Sequence, residues 1–213
     1  MSRRASPLSR GPHVQSEPGF LDTRPDEILW RGQPCDPRRL FGRNAPLEVE
    51  IGSGKARFLI EAARASPSHD FLGLERSLSY YRVCRDRVAR SGLPNIRILR
   101  ADGRLLAEGL PTGSVHAFHV YFSDPWPKKR HRKRRFLDGV TLELLASRLE
   151  PGGLLRIATD HADYGASVAS LCETVGGLER LEWNQYPEPP LTHYELKYRA
   201  EGRPIWRFLL RRV

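Results

Sequence analysis

Several acidic side chains in this sequence each follow a short apolar run. Glu50 lies in Leu47-Glu-Val-Glu-Ile51, directly before Gly52-Ser53-Gly54. Glu75 follows Phe71-Leu-Gly-Leu74, Asp102 follows the run ending at Ala101, Asp124 follows Val115 to Phe122, and Asp160 follows Leu154 to Ala158 and Thr159. A Gly-x-Gly turn lets a ligand approach the backbone at a helix N-terminus. Glu75 lies 23 residues after Gly52, near the spacing of a carboxylate that grips ribose hydroxyls. Together these features predict a nucleoside cofactor. The third glycine of a dinucleotide motif is absent, because Arg57 stands there. Gly54-Lys55 is followed by Ala56, not by the Ser or Thr of a triphosphate-binding loop. The acidic rim suits a cationic ligand without phosphates. S-adenosylmethionine fits, with its ribose on Glu75, its adenine edge near Asp102 and its methionine end facing Glu50. Any one of these carboxylates alone reads equally well as a helix cap; a set of them on one rim, beside the glycine turn, reads as a binding site.

The second chemical centre is Asp124-Pro125-Trp126-Pro127. Two prolines stiffen the backbone and Trp126 offers a flat π face, so the loop suits a planar nitrogen base. Directly after it, Lys128 to Arg135 reads KKRHRKRR, with seven Lys or Arg in eight positions. Such a run repels itself unless an anion neutralises it, and no acidic residue lies within it. Phosphate contacts are the expected use, with strongly salt-dependent binding. His116 and His119 are three positions apart in a strand and are expected on opposite faces, which argues against a metal pair.

The elements that carry these residues alternate. Strand-length runs at 47–51, 71–74, 96–99, 115–122 and 154–158 are separated by segments of helical period. Phe58, Leu59, Ala62 and Ala63 share one helix face; Leu78, Tyr81, Cys84 and Val88 share another, with Ser77 as its expected N-cap. Phe136, Leu137, Val140, Leu144 and Leu145 predict a third helix, and a fourth is expected over 162–175. Residues 204–213 read as a strand. This alternation predicts an α/β fold with an open, doubly wound, Rossmann-like sheet, in which ligands bind beyond the carboxyl ends of the strands.

Composition sets the limits. The chain has 213 residues, 39% of them apolar, which predicts one domain with a sizeable core. Its net charge is +10, and the basic run alone accounts for all but +3 of it. The charge is therefore one dense site, which suggests a polyanion partner. Three widely spaced cysteines, Cys35, Cys84 and Cys172, form no CxxC pair and fit a reducing cytoplasm. The longest uncharged run, Gly109 to Ser123, has 15 residues and contains Pro111, so no membrane span is expected. Residues 1–25 lack the apolar core of a secretory signal and are read as a flexible basic tail, with a single domain over 26–213.

Several stretches together resemble the bacterial tRNA (guanine-N7-)-methyltransferases. They are LFGRNAPLEVEIGSGK (40–55), FLGLE (71–75), RADGRLL (100–106), FSDPWPKKRHRKRR (122–135), LEPGGLLRIATD (149–160), THYELKY (192–198) and GRPIW (202–206). The resemblance implies a class I S-adenosylmethionine-dependent methyltransferase with a mostly parallel seven-stranded sheet ending in an antiparallel strand. It implies methylation of a guanosine in the tRNA variable loop. Cofactor contacts carry over onto Glu50, Gly52, Gly54, Glu75, Asp102 and Asp124, the last also catalytic. Substrate contacts carry over onto Lys128, Asp160, Thr192, His193, Tyr194 and Glu195. RNA contacts carry over onto Lys129, Arg130, His131, Arg132, Lys133, Arg134 and Arg135. The family's glycine turn often continues with another glycine where this chain has Ala56. The expected partner is tRNA, with no metal and no membrane, in a monomer or homodimer.

Guanine N7 has a lone pair and no proton, so the reaction needs no general base. Asp124 is expected to orient the base and stabilise charge. Three other readings are weaker. A nicotinamide-dependent oxidoreductase lacks its third glycine and a use for the basic run. A non-catalytic RNA-binding module has no need of the rim carboxylates. Methylation of DNA or of an exocyclic amine favours an Asn/Asp-Pro-Pro-aromatic turn, which Trp126 interrupts here.

Overall fold

The computed structural model describes residues 36–213; the expected tail over 1–25, the domain start at residue 26 and Cys35 lie outside the described residues. Helix α1 (Pro37–Phe41) leads into β1 (Leu47–Ile51), α2 (Arg57–Ala65), β2 (Asp70–Leu74), α3 (Leu78–Ser91), β3 (Ile96–Leu99), α4 (Gly103–Gly109) and β4 (Val115–Tyr121). The basic run forms a tight helical segment over Lys129–Arg134. Then come α5 (Gly139–Arg148), β5 (Leu149–Thr159), α6 (Ala162–Thr174), β6 (Leu178–Leu181), α7 (His193–Ala200) and β7 (Trp206–Arg212).

The seven strands lie in the order β3-β2-β1-β4-β5-β7-β6, and β7 runs antiparallel to both its neighbours. The winding direction reverses between β1 and β4, which pair in parallel. That switch opens a crevice beyond the carboxyl ends of the strands, where both glycine turn and Asp124 loop emerge. Parallel strands covered on both faces are mostly apolar, and β2, which begins with Asp70, is buried at all five positions. One core layer joins β1 and β4 to Leu142, Leu145, Tyr164 and Val168 of α5 and α6. The other packs Phe58, Leu59, Tyr81 and Cys84 of α2 and α3 on Phe71, Ile98 and Tyr121.

Three expectations shift. In α3, Leu78 is exposed, and the buried face is Tyr81, Cys84 and Val88. Helix α5 starts only at Gly139, capped by Asp138, whose side chain accepts from Thr141 N. Val140 therefore points to solvent and Thr141, Leu142, Leu145 and Ala146 face inward; Phe136 and Leu137 precede the helix. The β4–β5 register jumps between Val115 and Ala117, so the alternation counted from His119 does not reach His116. Both histidines consequently flank His69: the His116 ring packs 5.0 Å from it, and His119 shares Glu48 with it. Helices α4 and α7 and strand β6 carry too few apolar residues to announce themselves by periodicity.

Candidate active site

The glycine turn is built by local backbone geometry. Gly52 and Gly54 adopt φ of 85° and 53°, a region that glycine enters freely. The Gly52 and Ser53 amides both donate to Leu74 O at 2.8 Å, which ties the turn to the end of β2. Ala56 also has a left-handed φ of 57° and is fully buried, so the chain carries strain where a glycine would carry none.

Glu75 sits beside this turn. Its Oε2 accepts from Gly54 N at 3.0 Å and its Oε1 from Ser77 N at 2.8 Å. The carboxylate thus ties the glycine turn to the residue that precedes α3, while the Ser77 hydroxyl turns to Ser79. Asp102 caps α4 by accepting from Arg104 N at 2.9 Å. These bonds use only part of the four lone-pair sites of each carboxylate, so both groups keep acceptors for a ligand. Cap and ligand contact are compatible roles for the same side chain.

Glu50 differs. It is buried, and its Oε2 has no hydrogen-bond partner. Burial, reinforced by the charge of Glu75 and only partly opposed by Ser53, pushes its carboxyl up to about 8. A buried carboxylate oxygen without a partner is destabilising, and a cationic ligand removes that defect.

Asp124 is exposed in a strained loop. Phe122 and Trp126 on either side of it have φ of 53° and 42°, which bulky residues rarely adopt. The loop is held from outside. Phe122 N donates to Ala158 O at 2.8 Å, and Arg135 Nε donates to Pro125 O at 2.8 Å. Arg135 is itself buried, lies over the Tyr164 ring and pairs with Asp163.

Two adjoining cavities meet here. A cavity of about 760 Å³ is lined by Glu75, Asp102, Asp124, Trp126, Lys133 and Arg134, among others. One of about 290 Å³ is lined by Glu50, Lys55, Arg57, Thr192, His193 and Lys197, among others. Gly52, Gly54, Tyr80, Tyr121 and Tyr194 line both, so the two form one trench. Tyr194 and Tyr80 are hydrogen-bonded there; that bond, with burial, pushes the Tyr194 phenol up to about 12.

Not every expected residue reaches the trench. Lys128 is exposed at the start of the basic segment, and Lys129, Arg130, His131 and Arg132 do not line the cavities. Asp160 pairs with Arg203 at 2.9 Å. Thr192 caps α7 by accepting from Glu195 N at 3.0 Å, and Glu195 is buried against Arg199 and Arg207. The basic run does have an acidic partner, contrary to the expectation from its own residues: Asp163, in the first turn of α6, pairs with Arg132 and Arg135. Sequence reasoning missed Tyr80, Lys55, Arg57 and Lys197; only Tyr80, in the first turn of the helix after Glu75, had a positional signal.

A seven-stranded doubly wound sheet with an acidic rim and a glycine turn has the architecture of a class I methyltransferase. Two solved structures support the architecture: the aminoglycoside resistance methyltransferase NpmB1, with TM-score 0.59 at 18% identity, 91% of this chain and 95% of that one, and the 16S rRNA methyltransferase KamB, with TM-score 0.56 at 18% identity, 82% and 90%. The family model described as "Putative methyltransferase" matches residues 44–208. A tRNA (guanine-N(7)-)-methyltransferase of Alkalilimnicola ehrlichii is 36% identical over 194 residues, 84% of this chain and 82% of that one. One of Streptococcus agalactiae is 32% identical over 92% of both chains. This chain belongs to the tRNA (guanine-N(7)-)-methyltransferase family.

Proposed function

We propose that this protein methylates N7 of a guanosine in the variable loop of tRNA, with S-adenosylmethionine as donor, in the cytoplasm. The observation that carries the reading is Glu50: a buried, unpartnered carboxylate oxygen in the same trench as Asp124 and Trp126. Glu50 would hold the cofactor's cationic methionine end, Glu75 its ribose and Asp102 its adenine edge. When bound there, the cofactor supplies an electrophilic methyl group on a sulfonium.

The chain's own residues then have to place the base. Asp124 can accept hydrogen bonds from the guanine N1–H and amino group, which adenine cannot offer in that pattern. Its negative charge favours the purine as positive charge develops on it. Trp126 gives a face for stacking, and the prolines with the strained φ angles hold the carboxylate in place. No group has to remove a proton from N7. The guanosine must leave its stack to enter the trench. Lys129, Arg130, Lys133 and Arg134 have no carboxylate partner among the described residues and would face the RNA backbone; Thr192, His193 and Tyr194, which line the trench, would border the target nucleotide.

The test uses labelled S-adenosylmethionine and tRNA lacking 7-methylguanosine, followed by cleavage at the fragile N7-methylated base. A single cut in the variable loop is expected. Label at another base sinks the N7 assignment. Asp124→Asn keeps the shape and removes the charge, and a loss of about 10²–10³ in kcat is expected. Full kcat in that variant across pH would overturn the role given to Asp124.

A further inference from the structure

Arg43, Arg64, Arg104, Arg132, Arg199 and Arg211 each find a carboxylate. Most cations of the smaller lobe of the trench do not. Lys55 and Arg57 are exposed at its wall, and neither they nor Arg87 has a carboxylate within 4.0 Å among the described residues. Arg87 instead donates through Nη1 to Lys55 O at 3.0 Å and to His193 Nε2 at 2.7 Å. Accepting that bond requires a neutral imidazole. Lys197, one turn on from His193, lies on the same wall and leans 3.8 Å from Glu201.

Three unneutralised cations around a neutral histidine are an anion site waiting for its anion. The local field is positive enough that burial and the charges of Arg87, Arg57 and Lys55 push the His193 ring down from its ordinary range. A cofactor bound with its amino group on Glu50 would bring one carboxylate to this lobe. One negative charge leaves most of the surplus in place, and Lys55 and Arg57 are exposed where Glu50 is buried. The other end of the trench carries the basic segment, with Lys133 and Arg134 on its wall. Unpaired cations therefore stand at both ends of the trench that holds Asp124 and Trp126.

We propose that Lys55, Arg57 and Arg87, with Lys197 at the margin, form a second phosphate-binding surface, which grips the tRNA backbone on the far side of the target nucleotide from the basic segment. Held at two places, a strand can present one unstacked base between them, because the phosphates on both flanks are fixed while the base turns inward. The inference rests on the tRNA reading above and adds residues to it.

The test measures tRNA binding over a salt series for the wild type, for the double variant Lys55→Gln/Arg57→Gln, and for Arg130→Gln/Lys133→Gln as reference. S-adenosylhomocysteine binding and thermal stability are measured on the same proteins. Lys55→Gln/Arg57→Gln should bind tRNA several-fold more weakly at about 0.1 M salt. The slope of log K against log salt should fall by about 1.5, close to two lost phosphate contacts. Affinity for S-adenosylhomocysteine and the melting temperature should not move. If S-adenosylhomocysteine binding weakens while cofactor-free tRNA binding is unchanged, the cations serve the cofactor's carboxylate and the proposal is overturned. A wild-type slope in Lys55→Gln/Arg57→Gln, beside a reduced one in Arg130→Gln/Lys133→Gln, overturns the second surface and leaves the function standing. No tRNA binding by the wild type overturns both.

Discussion

Glu48 and Glu50 lie two residues apart on β1, on the same face of the sheet, yet they occupy opposite electrostatic worlds. Glu48 is bridged by His69 at 2.7 Å and by His119 at 2.8 Å. Burial alone would raise its carboxyl, but the hydrogen bonds and charges of the two histidines carry it down to about 2. Glu50, nearer the carboxyl end of the strand, is left with an unpartnered oxygen and is pushed up to about 8. The same residue type on one strand is finished at one end by the protein and left open at the other. The lesson is that the open end of the strand is marked by what the protein declines to satisfy. The basic segment repeats the contrast: Arg135 is buried and paired with Asp163, while its neighbour Arg134 lines the trench without a carboxylate.

The sharpest way to break this comparison is to neutralise each carboxylate. Glu50→Gln should stabilise the ligand-free protein by about 3 kcal/mol at pH 7, because it removes a carboxyl that must stay protonated. The same change should weaken S-adenosylhomocysteine binding by roughly 10–100-fold. Glu48→Gln should do the reverse, costing about 3 kcal/mol of stability with little effect on that affinity. Denaturant unfolding and calorimetry on both variants read these four numbers; the same sign for both stabilities would end the contrast.

The pH dependence follows with opposite signs. Glu50 has a folded pKa of about 8 against 4.5 for the ordinary carboxyl. Its contribution to ligand-free stability is fully present below about pH 4.5 and is lost as pH rises through about 8. Glu48, at about 2, contributes stability above about pH 4.5 that is lost as pH falls through about 2. Binding a cation beside Glu50 should therefore expel about one proton at pH 7, which calorimetry in buffers of different ionisation enthalpy detects. Glu50→Gln should expel none.

Neighbouring arginines give a smaller effect. Arg135→Gln should cost about 2 kcal/mol of stability through its buried hydrogen bonds. Arg134→Gln should leave stability within about 0.5 kcal/mol and lower the salt slope of tRNA binding by about 0.8. The smallest effect is expected at Ala56→Gly. Relief of about 1 kcal/mol of left-handed strain is offset by a looser unfolded chain and a lost buried methyl, so the melting temperature should stay within about 2 °C.

Much of this was legible locally. Runs at 47–51 and 96–99 match β1 and β3 residue for residue, because their aliphatic residues alternate with charged ones at the period of a strand. Glu75 and Asp102 were legible for a related reason: in a parallel sheet every strand ends on the same side, so a carboxylate after each run must reach one rim. Helix α7 was not legible as a helix. Only Glu195 of its eight residues is buried, and it is buried by ion pairing rather than by an apolar stripe. The phase of α5 failed at Val140 because the Asp138 cap, not the apolar spacing, starts the helix.

By itself the sequence determined the alternation of strands and helices, the acidic rim at their ends, the proline-stiffened Asp124 loop and the cationic run beside it. Each of these is carried by neighbours in the chain, through periodicity, turn geometry and charge density. Only the tertiary structure decided which of those charges are spent and which remain for a ligand. Glu48 meets His119 across 71 positions, Arg135 meets Asp163 across 28, and Arg87 meets His193 across 106. Pairing and burial at such separations depend on where the chain returns in space, and it is pairing and burial that leave Glu50 open, Arg135 closed, and Lys55 and Arg57 in want of an anion.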